Sequence, residues 1–330
     1  MDWTTLQVDG RVTAMRHGLA AGVGDDGNAF VVPLRLPHPE PMHYDGLVLD
    51  SFGVLGVAPG EQQTWLTGRG ADGRLHLWSA YVDGSMFVPH SLDSVEAMWA
   101  APVVDGAGGR VLASRLEAGT WRLRVFDRES AVLGGRSLGE DLVLGGSPDA
   151  ALAYGPAVRG PLVVAGALGE AGTVSAWALA SVDTGPGRAP GTEWRRVHLM
   201  PAPTDLCSVA AAADGRHTWV AGHVDGRLSV HAVLPLPFRG PVRSAVVSLP
   251  PVDLVTDGQV GLPVVLVDDV PGPLPWFVAA TARGLRLCWH DGSEWKAHPV
   301  PDGRLRGATF HDGAVHVWLD DTVWSLPAPS

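Results

Sequence analysis

Five aspartates recur along the chain at points where one short apolar run gives way to the next. They are Asp9, Asp50, Asp205, Asp253 and Asp302. Carboxylates gathered at one opening repel each other unless water or a cation neutralises them. Such a group would favour a cation, an amine-bearing small molecule or a peptide rich in arginine and lysine. The alternative is that aspartate simply suits turns, because its side chain hydrogen-bonds the nearby backbone.

Motifs that would indicate a catalytic or metal centre are absent from the sequence. It contains no G-x-S-x-G, P-loop or H-E-x-x-H pattern and no calcium-binding loop. The 13 histidines are scattered, and we interpret them as structural residues of a repeat. Cys207 and Cys288 fall in predicted strands, where free thiols usually behave as small buried hydrophobic groups. The sequence therefore predicts no metal site and no cofactor, and it identifies no catalytic residue.

Composition and charge limit the class of partner. The chain has 330 residues and a formal net charge of −11, with Lys296 as its single lysine. An acidic chain without a basic cluster argues against nucleic acid and anionic membranes as partners. The apolar runs are too short for a membrane helix, and the opening residues lack the pattern of a signal peptide. We expect a cytoplasmic monomer whose partner is a protein, a peptide or a cationic small molecule.

Strand patterns dominate the sequence, and helix patterns are nearly absent. Runs of five to eight residues alternate apolar with polar side chains, as at 74–81, 121–126, 227–231 and 314–318. Many runs end in Asp-Gly, which favours tight hairpins because both turn positions tolerate a positive φ. The pattern predicts an all-β protein built from hairpins, with two-residue turns at Asp72-Gly73 and Asp225-Gly226.

Two internal repeats organise these strands. Residues 2–18 and 294–313 both carry Trp, a short strand, Asp-Gly-Arg and a second strand. Residues 64–78 and 218–231 share Thr-Trp, a glycine, and then Asp-Gly-Arg-Leu. Aligned end to end, the repeats give units of four strands, which we label a to d. The predicted units are 10–50, 51–93, 94–140, 147–202, 204–250, 251–301 and 303–328.

The last unit has only three predicted strands, and residues 3–8 supply its fourth. This arrangement resembles a seven-bladed β-propeller of the WD40-like kind, covering the whole chain as one domain. The Gly-His and Trp-Asp dipeptides of true WD40 repeats are not present as a set, so the resemblance is one of architecture. It implies a ring closed by pairing the two chain ends, and it carries over no catalytic residue. Six blades with a longer irregular region are the alternative.

The register of a propeller places the d–a connections and the b–c turns on one face. The resemblance therefore implies that Asp9, Asp50, Asp205, Asp253 and Asp302 surround one channel mouth. Three functions fit this arrangement. The first is a non-catalytic binding or scaffold protein that uses the acidic mouth. The second is a propeller enzyme, a lyase, cyclase or hydrolase, with its site at the same mouth. The third is a carbohydrate-binding propeller that exposes some of the 13 tryptophans, which we otherwise expect to pack between blades.

Overall fold

The structure of the chain is a computed structural model that describes strands along its whole length. The last part, from residue 263 onward, is described almost continuously. The described residues are 2–6, 10–16, 18–34, 42–56, 63–70, 75–81, 87–91, 103–107, 110–117, 120–127, 142–145, 150–155, 162–167, 172–182, 191–211, 218–224, 227–234, 243–247, 263–272, 274–281, 283–291 and 293–328.

These residues form 26 strands. In chain order they are β1 (Thr4–Leu6), β2 (Arg11–Arg16), β3 (Leu19–Val23), β4 (Asn28–Pro33), β5 (Met42–Gly56), β6 (Gln63–Gly70), β7 (Leu75–Tyr81), β8 (Phe87–Ser91), β9 (Val103–Ala107), β10 (Arg110–Glu117), β11 (Thr120–Asp127), β12 (Leu142–Gly145), β13 (Ala150–Gly155), β14 (Leu162–Ala167), β15 (Gly172–Val182), β16 (Gly191–Ala211), β17 (Thr218–Val224), β18 (Arg227–Leu234), β19 (Arg243–Val247), β20 (Val264–Leu266), β21 (Phe277–Thr281), β22 (Gly284–His290), β23 (Trp295–Pro299), β24 (Leu305–His311), β25 (Ala314–Leu319) and β26 (Thr322–Pro327). The prediction of an all-β fold is confirmed.

The two ends of the chain pair in one sheet. Its strand order is β1-β26-β25-β24, so the N-terminal strand lies beside the last strand of the chain. The pairing is antiparallel and aligns Thr4 with Ser325 and Leu6 with Val323. This is the contact that the echo between residues 2–18 and 294–313 predicts.

Two further sheets also have four strands, in the orders β12-β11-β10-β9 and β20-β21-β22-β23. In the first of these, β12 lies within residues 134–148, a stretch that we interpret from its glycines as a loop. Leu144 and Leu142 pair with Trp121 and Leu123, so this short apolar segment completes a sheet despite the flanking glycines.

Two long strands each take part in two sets of pairs. The first half of β5 pairs with β4 and its second half with β6. In the same way β16 pairs first with β15 and then with β17. Each long strand therefore runs through a predicted d–a connection and joins two units into a seven-stranded sheet. Divided at these points, the described strands fall into groups of four. The number of blades and the closure of the whole ring stay predictions.

Alternation along each strand sorts its side chains into two packing layers. In β25, Val315, Val317 and Leu319 are buried against residues of β21 and β22. Trp318, on the other face of β25, packs with Leu6, Met15 and other residues of the N-terminal strands. The last sheet therefore buries both of its faces between neighbouring sheets, which a single twisted sheet cannot do alone.

The tryptophans of the described core pack as predicted. Trp219 is 2% exposed, Trp276 8% and Trp289 9%. Trp276 lies just before β21 rather than inside it. Its ring packs edge-on against the ring of Phe310 in the next sheet, with the two ring centroids 5.5 Å apart. These three side chains join sheets to each other and present no aromatic platform to the solvent.

One Asp-Gly pair shows the tight hairpin that the sequence predicts for this dipeptide. Asp312 and Gly313 separate β24 from β25, and both have positive φ, 47° and 72°. The turns at Asp72-Gly73 and Asp225-Gly226 lie outside the described residues. Val224 pairs with Arg227, so two residues connect β17 to β18, whereas four residues, 71–74, separate β6 from β7.

Substituting valine for Gly313 is expected to lower the free energy of unfolding by about 1 kcal/mol or more. A Cβ at Gly313 would have no atom within 4 Å, so the cost is that of the backbone conformation alone. Urea denaturation measures the loss. Gly307→Ala is the control, because its Cβ would make contacts of 3.5 Å or more and no positive φ applies. Equal stability of Gly313→Val and wild type would contradict the turn assignment.

Candidate functional site

In the last two sheets, the predicted d–a connection at 301–304 lies beside two predicted b–c turns, at 281–284 and 320–321. The connection before β24 forms two hydrogen bonds, through Arg304, with the turn that follows β25. The Asp320 N–H donates to the Arg304 carbonyl at 2.9 Å, and the Arg304 N–H donates to Asp320 Oδ1 at 3.3 Å. We call this surface the connection face. Its described part comprises the connection 301–304, the turns 24–27 and 320–321, and residues 281, 283 and 284 of the turn after β21.

Asp302 is the predicted site residue that the structure describes most completely. Its carboxylate is exposed on the connection face. Its Oδ1 lies 3.7 Å from the position that a Cβ on Gly284 would take, so it borders the turn between β21 and β22. Asp320 and Asp321 are exposed on the same face. The structure therefore brings three carboxylates of the last two sheets to one surface.

Arginines stand among these acids. Arg283 and Arg304 are both exposed on the connection face, in the turn after β21 and the connection before β24. The described part of this surface is therefore acidic in balance but mixed in sign. A ligand that binds there would meet alternating charges rather than a uniform ring of carboxylates.

Some of the described acids also stabilise turns. Asp26 accepts hydrogen bonds from the Asn28 backbone N–H at 2.9 Å and from Asn28 Nδ2 at 2.8 Å. These bonds favour the ionised carboxylate and lower the pKa of Asp26. Asp320 has a φ of 51°, and it bonds the Arg304 N–H. Two of the exposed acids on this face therefore have a structural role in turns.

The other predicted aspartates are only partly described. Asp50 lies in β5 at the shift in register between Leu49 and Ser51. Asp205 lies in β16, where it pairs with His223 of β17. Asp9 and Asp253 lie outside the described residues. Of the five, Asp302 is described with its side chain, and Asp50 and Asp205 are described by their backbone alone.

A chemically competent pair that sequence reasoning missed lies beside Asp205. The Cys207 Sγ is 3.1 Å from His223 Nδ1, within hydrogen-bond distance for sulfur. Both side chains are half-buried, and Cys207 packs partly against the buried cluster that contains Trp219, so its interpretation as a buried thiol holds only in part. Cys288 does fit that interpretation, since it is 0% exposed. A thiol within reach of an imidazole is the arrangement of a nucleophile and its base.

A β-bulge creates the Cys207–His223 pair. Leu206 pairs with Gly222 and Ser208 with Ala221, so Cys207 is the extra residue on its strand. A bulge re-aims the extra side chain relative to the regular alternation. The sequence signal, visible only in retrospect, is that Cys207 follows Asp205 of the predicted connection by two residues, while His223 precedes the predicted turn at Asp225 by two.

The described histidines differ sharply in environment. His316, in β25, is 0% exposed, and its Nδ1 lies 2.7 Å from the Ser325 Oγ of the neighbouring strand. Burial lowers the pKa of His316 to about 4, although the His311 carbonyl and the Asp312 carboxylate oppose this shift. Burial also lowers the pKa of His231. Both rings are therefore neutral near pH 7, as suits structural residues.

No cluster of three or more metal-binding side chains occurs in the part of the chain that the structure describes. Within the same residues, no helix is long and apolar enough to cross a membrane. On the surface away from the connection face, Asp291 accepts hydrogen bonds from the Ser293 and Glu294 backbone N–H groups. These bonds hold the pKa of Asp291 far below its ordinary value.

Comparison with known proteins gives the fold. No protein-family model matches the chain, and no curated protein matches it. Among solved structures, YCF48 from Cyanidioschyzon merolae is similar with a TM-score of 0.60 and 11% identity, covering 98% of each chain. The Cps50 (Swd1) β-propeller domain of Myceliophteria thermophila has a TM-score of 0.57 and 11% identity, covering 99% of this chain and 100% of that one.

Sqt1 of Saccharomyces cerevisiae is a third similar structure, with a TM-score of 0.52 and 12% identity. The match covers 97% of this chain and 83% of that one. Identities this low say nothing about a shared activity, but the likeness extends over nearly the whole chain. The chain therefore has the fold of a β-propeller.

Proposed function

We propose that this chain is a non-catalytic binding or scaffold propeller that recognises a basic peptide or protein segment at the connection face. The similar structures support a binding or scaffold role in general terms. The observation that carries the finer proposal is the grouping of Asp302, Asp320 and Asp321 on one exposed surface. The sequence adds Asp9, Asp50, Asp205 and Asp253 at equivalent positions of the repeat.

Charge supports a basic partner for this face. The net charge of −11 attracts cationic ligands from solution and speeds their association. Arg283 and Arg304, interspersed with the acids, give the surface a sign pattern that could fix the register of a bound peptide. Loops that are distant in sequence become neighbours at one end of a propeller, so a peptide could contact several blades at once.

The test is the binding of an arginine- and lysine-rich peptide, measured by fluorescence anisotropy at increasing salt. We expect affinity to fall as salt rises, because screening weakens exposed charge pairs. The double variant Asp205→Asn, Asp302→Asn should bind about tenfold more weakly, the loss of two rim contacts of roughly 0.7 kcal/mol each. Asp312→Asn, in the turn between β24 and β25, is the matched control and should bind like wild type.

Two results would contradict the proposal. The first is a loss of binding free energy in Asp312→Asn about half that of the double variant, which would show only a response to net charge, since one variant removes one charge and the other removes two. The second is wild-type affinity in the double variant. Circular dichroism of each variant checks that its fold is intact.

A propeller enzyme is the second candidate, and the Cys207–His223 pair favours it. The two groups have the spacing of a nucleophile and its base. An esterase assay with p-nitrophenyl acetate should then show turnover that Cys207→Ala abolishes. The carbohydrate-binding alternative has less support, because Trp219, Trp276 and Trp289 are buried between sheets.

A further inference from the structure

We propose that Cys207 is a reactive thiol, activated by His223, and that it is a site of covalent modification by soft electrophiles such as low-molecular-weight disulfides. This inference goes beyond the binding function, and it rests on different residues. Its support is the geometry of one bulge, the partial exposure of Cys207 and the contrast with the second cysteine of the chain.

The distance and the identity of the atoms provide the first argument. The Sγ of Cys207 and the Nδ1 of His223 are 3.1 Å apart, close enough for the thiol proton to pass to the ring. The product is a thiolate beside an imidazolium. An adjacent positive charge stabilises a thiolate and lowers the pKa of the cysteine below the ordinary value of about 8.5.

The bulge provides the second argument. It interrupts the pairing of β16 with β17 between Leu206 and Ser208, so that Cys207 leaves the regular alternation. On the next residue, the Ser208 Oγ accepts the Leu266 N–H at 3.0 Å and anchors the bulged strand to β20. Asp205, two residues before Cys207, pairs with His223 across the strands. The backbone on both sides of Cys207 is thus fixed, and the thiol is held beside the imidazole.

The partial exposure of Cys207 provides the third argument. Cys207 is half-buried, whereas Cys288 is 0% exposed. Burial raises the pKa of Cys288 to about 12. Cys288 therefore keeps its proton at neutral pH and is shielded from reagents. We therefore expect Cys207 to react with thiol reagents and Cys288 not to react, so that Cys288 serves as an internal control for the reactivity of Cys207.

The chemical step is a thiol–disulfide exchange. His223 holds the proton, and the Cys207 thiolate attacks one sulfur of a small disulfide. A new sulfur–sulfur bond forms to Cys207, the original disulfide bond breaks, and the other half leaves as a thiolate that can take up the proton. Cys207 lies three residues beyond Thr204, which pairs near the b–c turn at Val224. A group attached to Cys207 would therefore sit close to the connection face.

The experiment is alkylation of the full chain by iodoacetamide, followed for each cysteine by mass spectrometry between pH 5 and 10. We expect Cys207 to react at pH 7 at least tenfold faster than Cys288, with a midpoint of its pH–rate profile below 8.5. His223→Gln should move that midpoint up towards the ordinary thiol value and slow Cys207 at pH 6 by about tenfold.

Two results would overturn the proposal: a wild-type midpoint at or above 8.5, or the same midpoint in wild type and His223→Gln. If His223→Gln does not fold, two wild-type measurements test the proposal by themselves. They are the midpoint of the Cys207 pH–rate profile and the ratio of the Cys207 to the Cys288 rate at pH 7. His298→Gln, a half-buried histidine of β23, is the matched control and should leave the Cys207 profile unchanged. Peptide binding and thiol reactivity are measured separately, so one proposal can fail while the other stands.

Discussion

Deletion of residues 1–9 is expected to lower the melting temperature by about 10 °C, the result of losing roughly 4–5 kcal/mol of stability. The deletion removes β1 from the sheet it completes. Leu6, 7% exposed, leaves the cluster formed with Met15, Phe30 and Val323. The Trp3 indole N–H also loses its hydrogen bond to the Pro299 carbonyl, which measures 2.7 Å.

Thermal unfolding followed by circular dichroism measures this effect, and point variants locate it. Leu6→Ala should account for about 2–3 kcal/mol by itself, because it leaves a cavity in a packed layer. Thr5→Ala, on the exposed position of the same strand, should change stability by less than about 0.5 kcal/mol. A truncated protein that melts with the full chain would show that β1 is not needed in this sheet.

Acidification should destabilise the protein through His316, by about 2 kcal/mol between pH 7.5 and pH 5. Burial holds the pKa of this ring at about 4 in the folded chain, against 6.5 when it is solvated. Below pH 6.5 the unfolded chain therefore binds a proton that the folded chain does not. The contribution of neutral His316 to the free energy of unfolding is therefore fully present above pH 6.5, and it is lost as the pH falls towards 4.

Urea denaturation at the two pH values measures this loss. His316→Gln removes the titrating ring, so the variant should be less stable at pH 7.5 but should lose about 2 kcal/mol less than wild type on acidification. His298→Gln, on the partly exposed strand β23, should keep the acid sensitivity of wild type. Equal pH dependence in wild type and His316→Gln would show that other groups carry the effect.

The strands and their sheets could be predicted because their signals are local. Alternation of Val315 and Val317 with His316 indicates a strand, because successive side chains point to opposite faces of a sheet. The Asp-Gly-Arg echo of the two chain ends predicted the pairing of β1 with β26, since equivalent positions in a repeat take equivalent places. Neither inference needs knowledge of distant contacts.

The missed features depend on packing between distant segments. The bulge at Cys207 is a mismatch of one residue between two strands, and neither strand shows it alone. The short strand β12 is flanked by glycines, and its pairing with Trp121 and its neighbours outweighs its weak propensity. Both β5 and β16 continue through positions where the repeat predicts a connection, and both have a shift in register near that point.

The pairing of β1 with β26 sets an order of events during synthesis. Thr4 and Ser325, whose hydrogen bond joins these strands, are separated by 321 positions. At 5–20 residues per second, roughly 15 to 60 s pass before the partner of β1 exists. During that interval the backbone N–H and C=O groups of β1 that later bond to β26 are unpaired, and other chains could pair with them. Its length of three residues, with threonines at the first two, makes it a poor template for such wrong pairing. Pairing of the short strand β1 with other chains is therefore disfavoured before β26 is synthesised. Once β26 has formed, burial of the apolar Leu6 side chain favours the pairing of β1 with it.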